Sequence, residues 1–137
     1  MKSPEDLLNS LANHRLESVV QFEKTTWTFA FSGRSSLRVE CPWRIVVNGA
    51  VAVTGKDHAQ LFGREAPVDS CAESLRLLEK TVVKKAEVAV GSGDLVVIFE
   101  NGARLELFTD SCGYESWHLC SPDGELVALG GGNLAVL

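Results

Sequence analysis

The sequence predicts an α+β domain: about ten short, mostly antiparallel strands with two helices, arranged as two curved sheets or a split barrel. Three observations carry that prediction. Apolar and polar residues alternate along several short runs, the period of a half-buried strand. Two other stretches instead space their leucines three and four apart, the period of a helix face. Turn signatures, Asn48-Gly49, Asn101-Gly102 and Pro122-Asp123-Gly124, separate the strands at hairpin spacing.

The first helix opens at Ser3-Pro4-Glu5-Asp6. Ser3 can cap it, Pro4 suits the first helical position, and the two acids complement the helix dipole. Leu7, Leu8 and Leu11 form its apolar stripe, and Asn13-His14 ends it. Leu16–Glu23 and Thr26–Ser32 read as strands, with Trp27, Phe29 and Phe31 on one face of the second. Gly33–Ser36 turns the chain into Leu37–Cys41, and Asn48-Gly49 joins strands Trp43–Val47 and Val51–Thr54. Residues 56–68 show no periodicity and form the long connection of the molecule.

A second helix starts at Ser70-Cys71-Ala72-Glu73, a hydroxyl followed three residues later by Glu, the pattern of a capping box. Its predicted stripe is Cys71, Leu75, Leu78 and Val82. A strand over 84–90 follows, then Gly91-Ser92-Gly93. Leu95–Phe99 is apolar throughout, and Ala103–Phe108 alternates. If Asn101-Gly102 closes a two-residue loop, Ile98 lies opposite Leu105 and Val96 opposite Leu107. Tyr114–Cys120 alternates again, with Trp117 and Leu119 inward. After the Pro122-Asp123-Gly124 turn, Glu125–Leu129 returns, Gly130–Gly132 bends the chain, and Leu134 and Val136 close it.

The two halves match in order. Ser3 and Asp6 correspond to Ser70 and Glu73, and Phe31, Leu37 and Val39 to Phe99, Leu105 and Leu107. Trp43 corresponds to Trp117, and Gly55 to Gly130. The expectation is one domain, 1–137, with an internal pseudo-repeat: halves 1–55 and 69–137 joined by the 56–68 loop, and Thr109–Tyr114 inserted in the second half only.

At 137 residues and 45% hydrophobic, the chain is long enough to bury one sizeable core. No apolar run approaches the ~20 residues a membrane helix needs. The N-terminus is acidic and polar, so the expected location is the cytoplasm. The four cysteines are far apart with no close pair, which in that compartment predicts free thiols. Net charge is −5, held as +1 over 1–68 and −6 over 69–137. No basic stripe is present, which argues against nucleic acid as a partner.

The C-terminal residues Phe99-x-Asn101-Gly102, Tyr114-Glu115-x-Trp117, Pro122-Asp123-Gly124 and Gly131-Gly132 resemble a family of small uncharacterised bacterial proteins. Those proteins share a Tyr-Glu-x-Trp strand, a PDG turn and a glycine-rich close. The resemblance covers about the last third and implies a bacterial origin and a similar fold, with no catalytic residues to carry over. This chain ends in Leu137 where that pattern has a Trp.

No catalytic, cofactor or metal signature stands out. Cys112, His118 and Cys120, with Cys41 or His58 as a fourth ligand, lack the close pairing of structural zinc, so the expectation is no metal and no cofactor. No base or oxyanion hole accompanies any cysteine, and the triple glycine lacks the residues of a phosphate loop. Tyr114, Glu115 and His58 are the candidate binding residues, because they lie in or beside the two irregular connections. The sequence thus favours a non-catalytic binding or interaction protein, of which an immunity protein facing a basic partner is one form. The alternatives are a small-ligand or enzyme domain using loops 55–68 and 109–114, and a structural homodimer module.

Overall fold

A computed structural model describes residues 2–137. It contains two helices and eleven strands in two antiparallel sheets, with no closed barrel, so the two-sheet form of the prediction holds.

The chain runs α1 (Pro4–Asn9), then β1 (Leu16–Phe22), β2 (Thr26–Phe31) and β3 (Ser35–Val39), then the hairpin of β4 (Trp43–Val47) and β5 (Ala50–Thr54). The second half runs through elements of the same types. It has α2 (Ser70–Leu78), then β6 (Val83–Val88), β7 (Leu95–Phe99) and β8 (Arg104–Leu107), then β9 (Trp117–Ser121) and β10 (Gly124–Ala128). A short 3₁₀ turn at Gly130–Gly132 leads to a final strand, β11 (Leu134–Val136). The first sheet is ordered β1-β2-β3-β9-β10-β11 and the second β5-β4-β8-β7-β6. Each sheet therefore joins three strands of one half to the hairpin of the other.

The exchange takes place at two crossing segments. Glu40 N–H donates to Ser116 O at 2.8 Å, and Phe108 N–H donates to Pro42 O at 3.0 Å. Trp43 and Trp117 are the first residues of β4 and β9, the strands that cross. α2 packs against β1 and β5, and α1 against β6, β9 and β10, so each helix spans from one sheet to the other.

The core between the sheets is where alternation placed it. Trp27, Phe29 and Phe31 of β2 are buried, and Trp43 meets Trp27 and Phe29 edge to face at 5.1 and 5.0 Å. Such aromatic pairs add ~0.5–1.5 kcal/mol each beyond the area they bury. Leu7 and Leu8 of α1, with Leu11 in the turn beyond it, complete the core, and a capping box opens the helix: Ser3 Oγ accepts from Asp6 N–H and Asp6 accepts from Ser3 N–H. Asn48-Gly49 forms the expected two-residue hairpin, with both residues at positive φ.

Several expectations are corrected. The β7–β8 loop has three residues, Glu100–Gly102, with Gly102 at φ 86° and Phe99 N–H donating to Ala103 O. The register is shifted by one: Val97 pairs with Leu105 and Leu95 with Leu107, while Val96 and Ile98 face outward beside Glu106 and Arg104. The cap of α2 is Asp69, which accepts from Ala72 N–H. Ser70 is instead buried and donates to Thr54 O at 2.8 Å, and Glu73 pairs with Arg76. The helix ends at Leu78, and its buried residues are Ser70, Ser74 and Leu78; Val82 lies beyond it. Finally, Tyr114 to Ser116 precede β9 and do not belong to it.

Candidate functional site

One concavity gathers both of the irregular connections. A cleft of about 330 Å³ opens beside the β1–β2 loop, with Lys24 and Thr25 on one side and Gly55 and Lys56 on another. Glu40, Cys41 and Pro42 of the first crossing segment and Asp110 of the 109–114 loop complete the rim, and Trp27 and Trp43 form the aromatic wall.

Trp43 is 3% exposed, yet its indole N–H has no hydrogen-bond partner among the described residues. A buried unpaired donor costs ~1–3 kcal/mol. The Gly55 backbone lies against the indole: a Cβ at residue 55 would come within 2.5 Å of Nε1. The bond from Gly55 N–H to Trp43 O is long, 3.2 Å. The segment that walls off the unpaired donor is thus one that lines the cleft.

The surroundings of Trp117 are closed. Trp117 Nε1–H donates to Gly93 O at 2.9 Å. The Gly130–Gly132 turn packs backbone to backbone on its neighbours: a Cβ at Gly130 would meet Gly113 at 2.5 Å, and one at Gly132 would overlap Gly91 O. Gly131 N–H donates to Ser111 O at 2.9 Å. The 109–114 loop therefore fills the second-half pocket with residues 111–113 while Asp110 reaches the first-half cleft.

Of the three predicted binding residues, His58 lies nearest to this site. Its ring stands edge-on to Trp27 at 5.4 Å, and Nδ1 accepts from Ser70 N–H at 3.0 Å. It supports the aromatic wall and ties the 56–68 connection to α2. Tyr114 is 83% exposed. The Glu115 carboxylate sits 4.0 Å from Arg38, beside the Arg38–Glu40 ion pair at 3.1 Å, on the outer side of the first sheet. None of the three lines the cleft. Lys24, Glu40 and Lys56, which sequence reasoning missed, and Asp110 come from four different connections, and their convergence depends on the strand exchange.

A second cluster lies on the outer face of the first sheet. His118, Cys120 and Glu125 bring one donor atom each within 4.8 Å of one another. Cys112 is exposed on its loop and takes no part in this group. The signal for Glu125 was present: the two-residue Pro122-Asp123 loop sets Glu125 opposite Cys120. Arg38 donates to His118 Nδ1 at 3.1 Å, so Nε2 carries the proton given to Glu125 at 2.9 Å, and Cys120 Sγ donates to the same carboxylate oxygen at 3.3 Å. A metal on Nε2 would put an Nδ1–H against the guanidinium, so this donor set fits a proton network better than a cation.

The same bonds hold the Glu125 carboxyl below its ordinary range, through Cys120 first and His118 second. Burial and then Glu125 push the Cys120 thiol up. Burial, and to a lesser degree Asp110, pushes Cys41 up to about 12. Neither thiol is poised as a thiolate nucleophile near neutral pH. All four cysteines are free.

The match to known proteins comes at family level. Residues 7–137 match the model of a family of unknown function, DUF6188, and the chain belongs to that family. No curated protein and no solved structure matches it.

Proposed function

We propose that this member of the family is a non-catalytic binding protein, and that the cleft between Trp43 and Lys56 is its binding site. The observation that carries the reading is the unpaired Trp43 N–H beside an open cleft, where the equivalent N–H of Trp117 is satisfied and its pocket filled. A ligand that displaces the Gly55–Lys56 segment gives that donor an acceptor. The indole wall takes a planar apolar group, and Lys24 and Lys56 opposite Glu40 and Asp110 favour a small ligand bearing charge. The raised thiols of Cys41 and Cys120 argue against cysteine catalysis.

A thermal-shift screen of small charged and zwitterionic aromatic compounds tests the reading, run on the parent and on Lys56→Ala. A hit that raises Tm in the parent and loses that effect in Lys56→Ala supports it. Hits unaffected by Lys56→Ala, or none at all, refute it.

A protein partner is the second reading, including the basic toxin that an immunity protein would neutralise. It is favoured by Leu61 and Phe62, 52% and 65% exposed in the 56–68 connection, and a toxin gene beside this one would support it. The bacterial cytoplasm is our reading of the compartment, and the C-terminal resemblance supports the bacterial part of it. No described helix is long and apolar enough to cross a membrane.

We also read the two halves as the product of an internal duplication. The shared element order, the reciprocal crossing bonds and equivalent bulges at Glu17 and Lys84 support it. Superposing residues 3–55 on 70–130 should bring both helices and Trp43 with Trp117 into register.

A further inference from the structure

An open sheet edge presents unpaired N–H and C=O groups, and proteins blunt such edges with charge, brevity or cover. Three of the four edges here follow that rule. β6 carries Lys84, Lys85 and Glu87 and packs against α1. β1 carries Glu17 at a bulge and packs against α2. β11 is three residues long.

The fourth edge, β5, is less protected: it packs against α2 and bulges at Ala52, but it carries no charge. Ala50-Val51-Ala52-Val53-Thr54 holds no charge and no proline, and Ala50, Val51 and Ala52 are exposed, Val51 by 53%. Only its far end is held, where Ser70 donates to Thr54 O. The other half shows what such an edge accepts. β10, which stands where β5 stands, is paired along its outer side by β11: Leu126 with Val136, Val127 with Ala135 and Ala128 with Leu134. Among the described residues no strand lies beside β5 in this way.

We propose that β5 pairs antiparallel with β5 of a second copy of this chain, joining two five-stranded sheets into one across a two-fold axis. The segment suits itself: antiparallel pairing about a two-fold axis sets Val against Val and Ala against Ala or Thr, and opposes no like charges. A groove of about 460 Å³ beside Ala52 holds Phe62, with Arg64 and Asp57 on its walls. The axis therefore brings an exposed ring and both signs of charge from each copy to the other. The bulge at Ala52, between the Ile45–Val53 and Val46–Val51 pairs, shortens the ladder and makes the association reversible.

Sedimentation analysis from about 1 μM to about 1 mM tests this, a range that spans weak specific association. The parent should pass from monomer to dimer within it. Val51→Lys, and independently Ala50→Glu, should remain monomeric throughout with Tm unchanged. Val90→Lys, at a fully exposed residue on the β6–β7 loop, should dimerise like the parent. A parent that stays monomeric at the highest concentration, or a dimer that both edge variants leave intact, overturns the proposal.

Discussion

Trp43 and Trp117 are the first residues of β4 and β9 and both are buried, yet one indole N–H is satisfied and the other is not. Around Trp117 the fold uses glycine three times to bring main chain against main chain and supplies the Gly93 carbonyl as acceptor. Around Trp43 a single glycine lies against the ring, and charged residues stand back to leave a cleft. The contrast shows that a packed core does not by itself force closure. The connections decide which end is sealed and which remains open.

Removal of the sealed indole should have the largest effect. Trp117→Ala is expected to cost about 3–5 kcal/mol, out of roughly 5–15 kcal/mol for a whole domain. It should lower the melting temperature sharply or leave the protein insoluble. Tyr114→Ala, at the exposed neighbour, should stay within about 0.5 kcal/mol. Comparable melting of the two variants would break the assignment of the Trp117 end as the packed one.

The glycines separate the two ends next. Gly132→Ala meets the Gly91 carbonyl, a main-chain obstacle, at a φ of 96°, and should cost about 3 kcal/mol. Gly55→Ala meets only the edge of the Trp43 ring at an ordinary φ and should cost about 1–2 kcal/mol. Chemical denaturation of both variants gives the comparison directly.

Much of this was legible in the chain. The two helices, the Asn48-Gly49 and Pro122-Asp123-Gly124 hairpins and the inward faces of Trp27, Phe29, Trp117 and Leu119 follow from period and turn chemistry alone. The β7–β8 register did not, because Asn101-Gly102 also suits a three-residue loop, and one residue reverses every facing. Nor did the α2 cap: Asp69 and Ser70 are both good caps, and the buried Thr54 carbonyl claims the Ser70 hydroxyl. The exchange of hairpins between sheets has no local signature, so the cleft that depends on it had none either. Loops 55–68 and 109–114 are the expected site of the small-ligand alternative, but His58 and Tyr114 within them do not line the cleft.

A smaller contrast concerns the N–H alone. Trp117→Phe leaves Gly93 O without its donor, whereas Trp43→Phe removes a donor that already lacks a partner. The first should cost about 1–2 kcal/mol more than the second. Equal costs would mean that the Trp43 N–H is satisfied in solution.

The smallest effect is alkaline. Burial holds the folded Cys41 thiol at about 12, above its ordinary 9.0. The folded state therefore keeps that proton more tightly. The contribution to stability is intact below pH 9.0 and is lost as pH rises through about 12. Cys41→Ala should be less stable at neutral pH, through lost packing, but its stability should fall less steeply with alkali. An unchanged slope would place Cys41 outside the buried wall.

The most direct measurement of the binding claim is the indole ¹⁵N–¹H spectrum of the three tryptophans, recorded while compounds from the thermal-shift screen are titrated in. A bound ligand is expected to move the Trp43 resonance downfield as its N–H gains an acceptor, with Trp117 unmoved. A spectrum in which no ligand shifts Trp43, or in which Trp117 shifts equally, would contradict it.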